Sequence, residues 1–323
     1  MTAIPCVPML AGFDIGGTNA RALLVEPSTG QVLHSSRDSS AGGGPALVAK
    51  VLEMVANLER TYGCRVEAIG LGVAGLVSRS GTIHYSPNLP DLIEFPIGPE
   101  VEAASRVPVV VGNDATAGAW AEAKFGAGRG ADDFIYVALG TGIGTGFVAD
   151  GRLMTGANGF AGESGHMVVD MDGPAHRTGQ RGPWEYFASG TALGRMAREA
   201  AQSGAFAKGI ELAGDVASIT GYHVAEALVV DNADASAIFD GFCREVARGI
   251  ANLAVIFDPQ LVVVGGGLAE IGTPLKDGTQ RWLDRLLLGG EHRPRVEVTL
   301  AELGSDSGAI GAALLAAEAL SGD

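Results

Sequence analysis

Two segments of the chain repeat one pattern, and that pattern limits what the chain can fold into. Residues 9–13 are an apolar run that ends in Asp14-Ile15-Gly16-Gly17-Thr18-Asn19, after which residues 20–25 resume extended character. Residues 134–139 are a second such run, ending in Gly140-Thr141-Gly142-Ile143-Gly144-Thr145-Gly146 and running back out over residues 147–149. Each reads as strand, glycine-rich turn and strand. Two hairpins of this kind about 120 residues apart predict two similar halves facing each other rather than a repeat array. A length of 323 residues is more than one compact core usually holds, which agrees with two domains or one domain folded around a cleft.

The rest of the chain alternates between two periods. Leu47, Val51, Met54, Val55 and Leu58 fall at helical spacing within residues 46–62, and residues 115–125, 188–201, 233–257 and 308–320 also read as helices. Residues 68–73, 107–111 and 261–264 are short β-rich runs. Alternation of this kind argues an α/β fold with covered sheets. Hydrophobic residues make up 47% and charged residues 18%, which excludes a disordered chain and leaves ample material for a large core. The 49 glycines show no three-residue period, so they signal tight turns and close backbone approach rather than collagen.

The formal charge of −15 disfavours binding to nucleic acid or to an anionic membrane, since both need an excess of Lys and Arg. An anionic substrate must then be held by backbone N–H groups, a metal ion or a few local cations. Cys6, Cys64 and Cys243 are odd in number and far apart, which suits a reducing compartment. No basic residue precedes Arg21, unlike a signal peptide, and no uncharged run reaches the roughly 18 apolar residues of a membrane span. The expectation is a cytoplasmic protein with no membrane and no nucleic-acid partner.

Glycine turns invite a phosphate-site reading, and the common ones fail one by one. No Gly-Lys pair occurs, so there is no Walker A loop. The run from Gly140 to Gly146 lacks Gly-x-Gly-x-x-Gly spacing and leads into a strand where a dinucleotide fingerprint needs a helix. Neither His-Glu-x-x-His nor Gly-x-Ser-x-Gly is present. What remains is a hairpin tip whose successive N–H groups can point at one oxyanion. Glycine is expected there because a side chain would block the phosphate and because the turn calls for positive φ. Thr18, Thr141 and Thr145 would add hydroxyl donors, and Asp14, at the end of the first strand, suits Mg2+ held through water. One such hairpin reads most simply as a tight turn. Two of them, with Gly265-Gly266-Gly267, favour a nucleotide cleft.

Six motifs carry a resemblance beyond these spacings. They are Asp14-Ile15-Gly16-Gly17-Thr18-Asn19, Ser86-Pro87-Asn88-Leu89-Pro90, Gly112-Asn113-Asp114-Ala115, Leu139-Gly140-Thr141-Gly142-Ile143-Gly144, Gly162-Glu163-Ser164-Gly165-His166 and Val264-Gly265-Gly266-Gly267. Their order resembles that of the ROK family (repressor, open reading frame, kinase), from about residue 9 to the C-terminus, and is most similar to its glucokinases. The resemblance implies an α/β, two-lobed actin-like ATPase (ribonuclease H-like) fold with a central cleft. Residues 1–113, completed by a C-terminal helix at 308–323, would form a small α/β lobe, and residues 114–307 a large one. The implied activity is that of an ATP- and Mg2+-dependent hexose kinase acting on the glucose 6-hydroxyl, as a homodimer. Kinases for fructose, mannose or an N-acetylhexosamine, a polyphosphate donor, and a non-catalytic sugar sensor stay open. The family's repressors carry an N-terminal helix-turn-helix, for which the acidic chain and the dozen or so residues before the first strand give no expectation.

The same resemblance distributes roles. Asp114 would be the base for the sugar hydroxyl, although an Asp before an Ala-rich helix reads on its own as an N-cap. Gly75, Asn88, Asn113, Glu163, His166 and Glu185 would line the sugar pocket; taken singly, Glu163, His166 and Glu185 read as loop charges and Gly75 as a turn. Asp14, Gly16, Gly17, Thr18, Asn19, Thr141, Gly142, Gly266 and Gly267 would bind ATP, with Asp14 also serving Mg2+. One departure stands out. Many ROK proteins have a zinc site with three cysteines in a Cys-x-Cys-Gly-x-x-Gly-Cys pattern, and here His176, Thr178 and Pro183 occupy those positions. Two histidines cannot complete a four-ligand structural site, so no structural zinc is expected and the orientation of His166 needs another source.

Overall fold

The computed structural model describes residues 9–321, so Cys6 lies outside the described residues. The chain opens with β1 (Met9–Ile15), β2 (Asn19–Val25), β3 (Val32–Ser39), α1 (Gly43–Tyr62) and β4 (Val66–Val73). β5 (Leu76–Val77), β6 (Ile83–Tyr85), α2 (Ile97–Ser105), β7 (Val109–Asn113) and α3 (Asp114–Phe125) follow. Next come β8 (Phe134–Leu139), β9 (Ile143–Ala149), β10 (Arg152–Leu153), α4 (Trp184–Ala188), α5 (Gly190–Gln202), α6 (Ala207–Ala213) and α7 (Gly221–Val229). The last elements are α8 (Ala233–Phe257), β11 (Leu261–Gly265), α9 (Thr273–Leu286), β12 (Glu297–Leu300) and α10 (Ser307–Ser321). Both expected hairpins form, as β1–β2 and β8–β9. Among the described residues no helix is long and apolar enough to cross a membrane.

Contacts divide the described residues into two units. The first runs to Asp132 and takes in Thr145–Glu163 and the segment from Glu302; the second is Asp133–Gly144 with Ser164–Ala301. The first unit is built on a sheet of order β3-β2-β1-β4-β7. β2 and β3 run antiparallel to their neighbours, whereas β4 and β7 run parallel to β1. The register aligns Ile15 with Val73 and Val73 with Asn113, so three parallel strands end at one level. That edge, outside the carboxyl ends of parallel strands, is where open α/β sheets present their ligand-binding groups. On one face α1 buries Leu47, Val51, Met54, Val55 and Leu58, the residues whose spacing predicts the helix, in a core with Phe13, Leu24 and Ile69.

On the other face α10 lies almost on the backbone of the sheet. A Cβ at Gly12 would meet the Ala309 carbonyl, and one at Gly70 would meet the Ala312 carbonyl. Gly311 of α10 in turn lies against the Ala117 carbonyl of α3. Glu122 of α3 is fully buried and accepts hydrogen bonds from the backbone N–H groups of Ala127, Glu302 and Leu303, which anchors the chain just before α10. A buried carboxylate is tolerable because it gathers several donors.

The second sheet has the order β10-β9-β8-β11-β12, with β11 parallel to both β8 and β12. The predicted long helix is present as α8, which buries Phe239, Phe242, Val246 and Ile250. Gly249 of α8 lets the ring of Trp184 lie against the helix, and the Trp184 Nε1–H donates to the Glu245 carbonyl at 2.9 Å. The apolar body and the single donor of the buried indole are both satisfied.

The glycine contact under α10 has a measurable consequence. Gly70→Ala is expected to cost about 1–3 kcal/mol, because the added methyl must displace helix backbone rather than a flexible side chain. Urea unfolding should show a lower midpoint at unchanged slope; an unchanged midpoint would mean that α10 yields freely.

Candidate functional site

In the first unit the strand ends gather polar and ionisable side chains. Asn113 ends β7 and Asp114 begins α3. The Asn113 side chain caps the helix, its Oδ1 accepting from the N–H groups of Ala115 at 3.0 Å and Thr116 at 3.1 Å. The cap role that residue type suggests for Asp114 therefore falls to its neighbour. Asp114 is a first-turn carboxylate with one local hydrogen bond, from the Ala115 N–H at 2.8 Å. Burial raises its pKa above the usual carboxylate range, against the opposing pull of that N–H. The other end of the Asn113 carboxamide donates to Glu163 Oε1 at 3.2 Å and to the Gly75 carbonyl at 3.4 Å. Asn113, Glu163 and Gly75 are thus brought together. Gly75 has φ +122, and a side chain there would strike the Tyr85 carbonyl.

Asp14 lies at the end of β1, half-buried and paired in register with Arg21 on β2. Arg21 is engaged mainly elsewhere: it forms an ion pair with Asp306 at 2.5 Å and donates to the Ser305 carbonyl at 3.0 Å. Burial, reinforced by the charge of Asp114 and by Asp306, pushes the pKa of Asp14 up to about 7 despite Arg21. The site carries more negative charge than its own cations offset.

The β1–β2 tip follows the expected hairpin with a different use of glycine. Gly16 and Gly17 do not have positive φ. Gly17 is required instead by close approach, since its Cβ would collide with the Asn88 carbonyl. That contact brings the exposed loop of Asn88 to the hairpin. Ser40 fastens the tip from behind, donating from Oγ to the Gly16 carbonyl at 2.7 Å and from its N–H to the Thr18 carbonyl at 3.1 Å. Gly17, Thr18 and Asn19 are exposed. Thr145 departs from expectation: it is fully buried and donates its hydroxyl to the Gly162 carbonyl at 2.5 Å. It is a structural residue of the first unit rather than a phosphate donor.

In the second unit the β8–β9 tip borders a cavity of about 800 Å3 lined in part by Gly140, Thr141, Gly190, Gly221, Tyr222 and Gly267. This falls within the range of small-molecule sites. The tip glycines again lack positive φ. Gly140 and Gly267 have open space where a Cβ would stand, whereas Gly142 has the Glu185 carboxylate there. Among the glycines expected to bind ATP only Gly266 has positive φ, at +77, tucked against the backbone of Leu139. The tip is pinned by the Gly190 N–H, which donates to the Gly140 carbonyl at 2.7 Å, and by the Thr191 hydroxyl, which donates to the Thr141 carbonyl at 2.8 Å. The sequence reading missed this wall. Its signal was the pair Ser189-Gly190-Thr191 and Thr220-Gly221-Tyr222, each a hydroxyl residue followed by glycine at the start of a helix, where N–H groups converge.

Glu185 and His166 occupy the remaining part of the second unit. Glu185 is buried in α4 and accepts from the Ile143 N–H at 2.8 Å; its other oxygen lies 3.2 Å from His176 Nε2. His176 Nδ1 lies 2.9 Å from the Thr178 hydroxyl. His166 ends the short 3-10 turn Ser164–His166, and its Nδ1 lies 3.0 Å from Gln180 Oε1. Burial lowers the pKa of His176, outweighing the nearby Glu185 charge.

The ROK family model matches residues 10–319. A glucokinase from Streptomyces coelicolor is 37% identical over 95% of this chain and 97% of its own length. One from Thermotoga maritima is 33% identical over 97% and 98%, respectively. The crystal structure of a ROK family glucokinase from Streptomyces griseus in complex with glucose and AMPPNP superposes with a TM-score of 0.87. It is 38% identical and covers 96% of this chain and 99% of that one. The ROK hexokinase from Thermus thermophilus superposes with a TM-score of 0.78 at 31% identity, covering 98% of this chain and 100% of that one.

The raised pKa of Asp14 predicts a pH signature in metal-free protein. The folded carboxyl keeps its proton up to about pH 7, whereas the unfolded one releases it near 3.8. This group therefore favours folding at low pH, and the benefit is lost as pH rises through 7. Asp14→Asn removes the charge and should gain on the wild type between pH 5 and pH 7, by about 1.4 kcal/mol per pH unit. Denaturant unfolding at several pH values reads this directly, and parallel wild-type and variant curves would refute it.

Proposed function

The chain belongs to the ROK family, and we propose that it is an ATP-dependent hexose kinase that phosphorylates the 6-hydroxyl of glucose. The fold is that of the actin-like ATPases. The observation that carries the reaction is the division of labour at Asn113-Asp114: Asn113 caps the helix, and the half-buried Asp114 carboxylate at the strand ends is held locally by the Ala115 N–H.

Transfer of a phosphoryl group to a hydroxyl asks for a base, charge neutralisation on the phosphates and in-line positioning. Asp114 takes the hydroxyl proton. Its raised pKa moves it towards the operating pH, where a base that must also release its proton works best. Asn113, Glu163 and Gly75 form a polar cluster in the first unit suited to sugar hydroxyls, with Asn88 in the same unit; in the second unit His166 and Glu185 are hydrogen-bonding groups of the same kind. The nucleotide would be held at the cavity lined by Gly140, Thr141 and Gly267, with Gly142 and Gly266 beside it as further phosphate-binding backbone. In the first unit Gly16, Gly17, Thr18 and Asn19 form a hairpin tip of the kind that can offer N–H and hydroxyl donors to phosphate. The surplus negative charge around Asp14 fits a divalent cation, and Asp14 would hold Mg2+ through water. Such an ion, when bound, neutralises charge on the transferring phosphoryl group. We further place the enzyme in the cytoplasm as a homodimer, in keeping with the family resemblance.

Two measurements test this reading. ADP release with ATP and Mg2+ should be strong on glucose and near the sugar-free background on mannose, fructose, N-acetylglucosamine and N-acetylmannosamine. Turnover on another sugar replaces the substrate, and silence on all of them, with polyphosphate as donor too, overturns the kinase. Asp114→Asn should lower kcat about 10²- to 10⁴-fold, the contribution of a general base, with glucose affinity nearly intact. Near-normal turnover in that variant would remove Asp114 from the mechanism.

A further inference from the structure

The loop that carries zinc in many ROK relatives does not fit zinc here. Its candidate donors are His166 and His176, and no thiolate stands in the segment between them and Glu185. Both ring nitrogens of His176 already face oxygen atoms, Thr178 Oγ1 at 2.9 Å and Glu185 Oε1 at 3.2 Å. Among the described residues no cluster of three or more His, Cys, Asp or Glu side chains is arranged to hold a metal. A structural zinc site wants four ligands, usually thiolates and imidazoles. The question is what orients the loop instead.

The hydrogen bonds answer it atom by atom. Gln180 grips His166 at two points, its Oε1 facing Nδ1 at 3.0 Å and its Nε2 facing the His166 carbonyl at 3.5 Å. An amide oxygen can only accept, so the His166 ring donates to it from Nδ1. On the other side of the loop the Glu185 carboxylate accepts, so His176 donates from Nε2 and accepts a hydrogen bond from the Thr178 hydroxyl at Nδ1. The Ile143 N–H holds the second oxygen of the same carboxylate at 2.8 Å. The two imidazoles stand side by side, ring centres 6.1 Å apart. Backbone bonds close the loop around them: the His176 N–H donates to the Gln180 carbonyl at 2.7 Å, and the Gly179 N–H to the His176 carbonyl at 2.9 Å.

We propose that Gln180 and His176 are positioning residues that replace a metal: Gln180 fixes the tautomer of His166, and His176, steadied by Thr178, fixes the Glu185 carboxylate for sugar binding. The inference rests on the reading of His166 and Glu185 as sugar-binding groups. Neither positioning residue is assigned a contact with the sugar. Their effect is to remove rotational freedom from the two side chains that are assigned one, which is the task outer-shell partners perform for metal ligands.

The experiment uses Gln180→Ala, His176→Ala and His176→Gln. Gln180 is exposed, so its loss should leave folding intact. Each alanine variant should raise KM for the hexose about tenfold, the loss of one hydrogen bond to a charged or imidazole group. KM for ATP should stay unchanged, and kcat should move less than twofold. His176→Gln keeps a donor towards Glu185 and should recover most of the sugar affinity. Elemental analysis of the purified enzyme should find no stoichiometric zinc, and a zinc-selective chelator should leave the hexose KM unchanged. Stoichiometric zinc, or an unaltered hexose KM in both alanine variants, overturns the proposal. A wild-type enzyme silent on every sugar would instead defeat the kinase reading. The brace is then judged by nitrogen-15 NMR of the imidazoles, which should show His166 protonated on Nδ1 and His176 on Nε2. The opposite assignment, or loss of neither preference in the variants, defeats it.

Discussion

Asn113 meets two demands with one carboxamide, and the first unit's chemistry depends on how they are shared. A helix beginning at the end of a parallel strand exposes N–H groups that need an acceptor. If the neighbouring aspartate met that need, its carboxylate would be spent on structure. With Asn113 Oδ1 facing two N–H donors, the amide cannot be turned round without setting donor against donor. Its Nδ2 is thereby committed to Glu163 and the Gly75 carbonyl. One side chain settles where the helix begins, which carboxylate is left over and which groups gather beside it.

Electrostatics at this edge run against folding and in favour of chemistry. Asp14 and Asp114 are both held in the folded chain with pKa values above the ordinary carboxylate range, the first because burial and a like charge act together. A chain selected for stability alone would place neutral groups there. Groups with perturbed pKa values gathered at one strand edge are the mark of a reactive or cation-binding surface. The second unit treats its own buried carboxylate differently. Glu185 is surrounded by a backbone N–H and an imidazole, so its charge is matched by donors.

Much of the fold was legible because its periodicities are strong. The five apolar positions of α1 and the 25 residues of α8 could be read straight from spacing. Both hairpins were legible from turn chemistry, and the family resemblance singles out Asn113, Glu163 and Gly75, which hydrogen bonds bring together. The reasons behind some residues were not. The tip glycines were expected to need left-handed backbone, yet Gly17 and Gly142 are glycine because the Asn88 carbonyl and the Glu185 carboxylate stand where a Cβ would go. Such encounters join residues distant in sequence and leave no local trace. Thr145 looked like a phosphate donor from its place in a Gly/Thr run, but alternation along β9 turns it inward. The cavity wall at α5 and α7 escaped notice because short helices with a glycine start carry little periodic signal. Gln180 was invisible for a plainer reason: without knowing what stood across the loop, an exposed glutamine carries no expectation.

The glycine contact under α10 bears on how the polypeptide comes off the ribosome. The sheet of the first unit is written in the opening third of the chain, but the helix that covers one of its faces is residues 307–321. Strands β1 and β4 carry glycine at the points of contact, so until that helix exists the face offers bare backbone and small side chains. Every residue of the second unit is made in the interval. Domains fold as units during synthesis, and a face that waits for its covering helix leaves the unit incomplete until then. The first part of the chain to be made is therefore among the last to be completed.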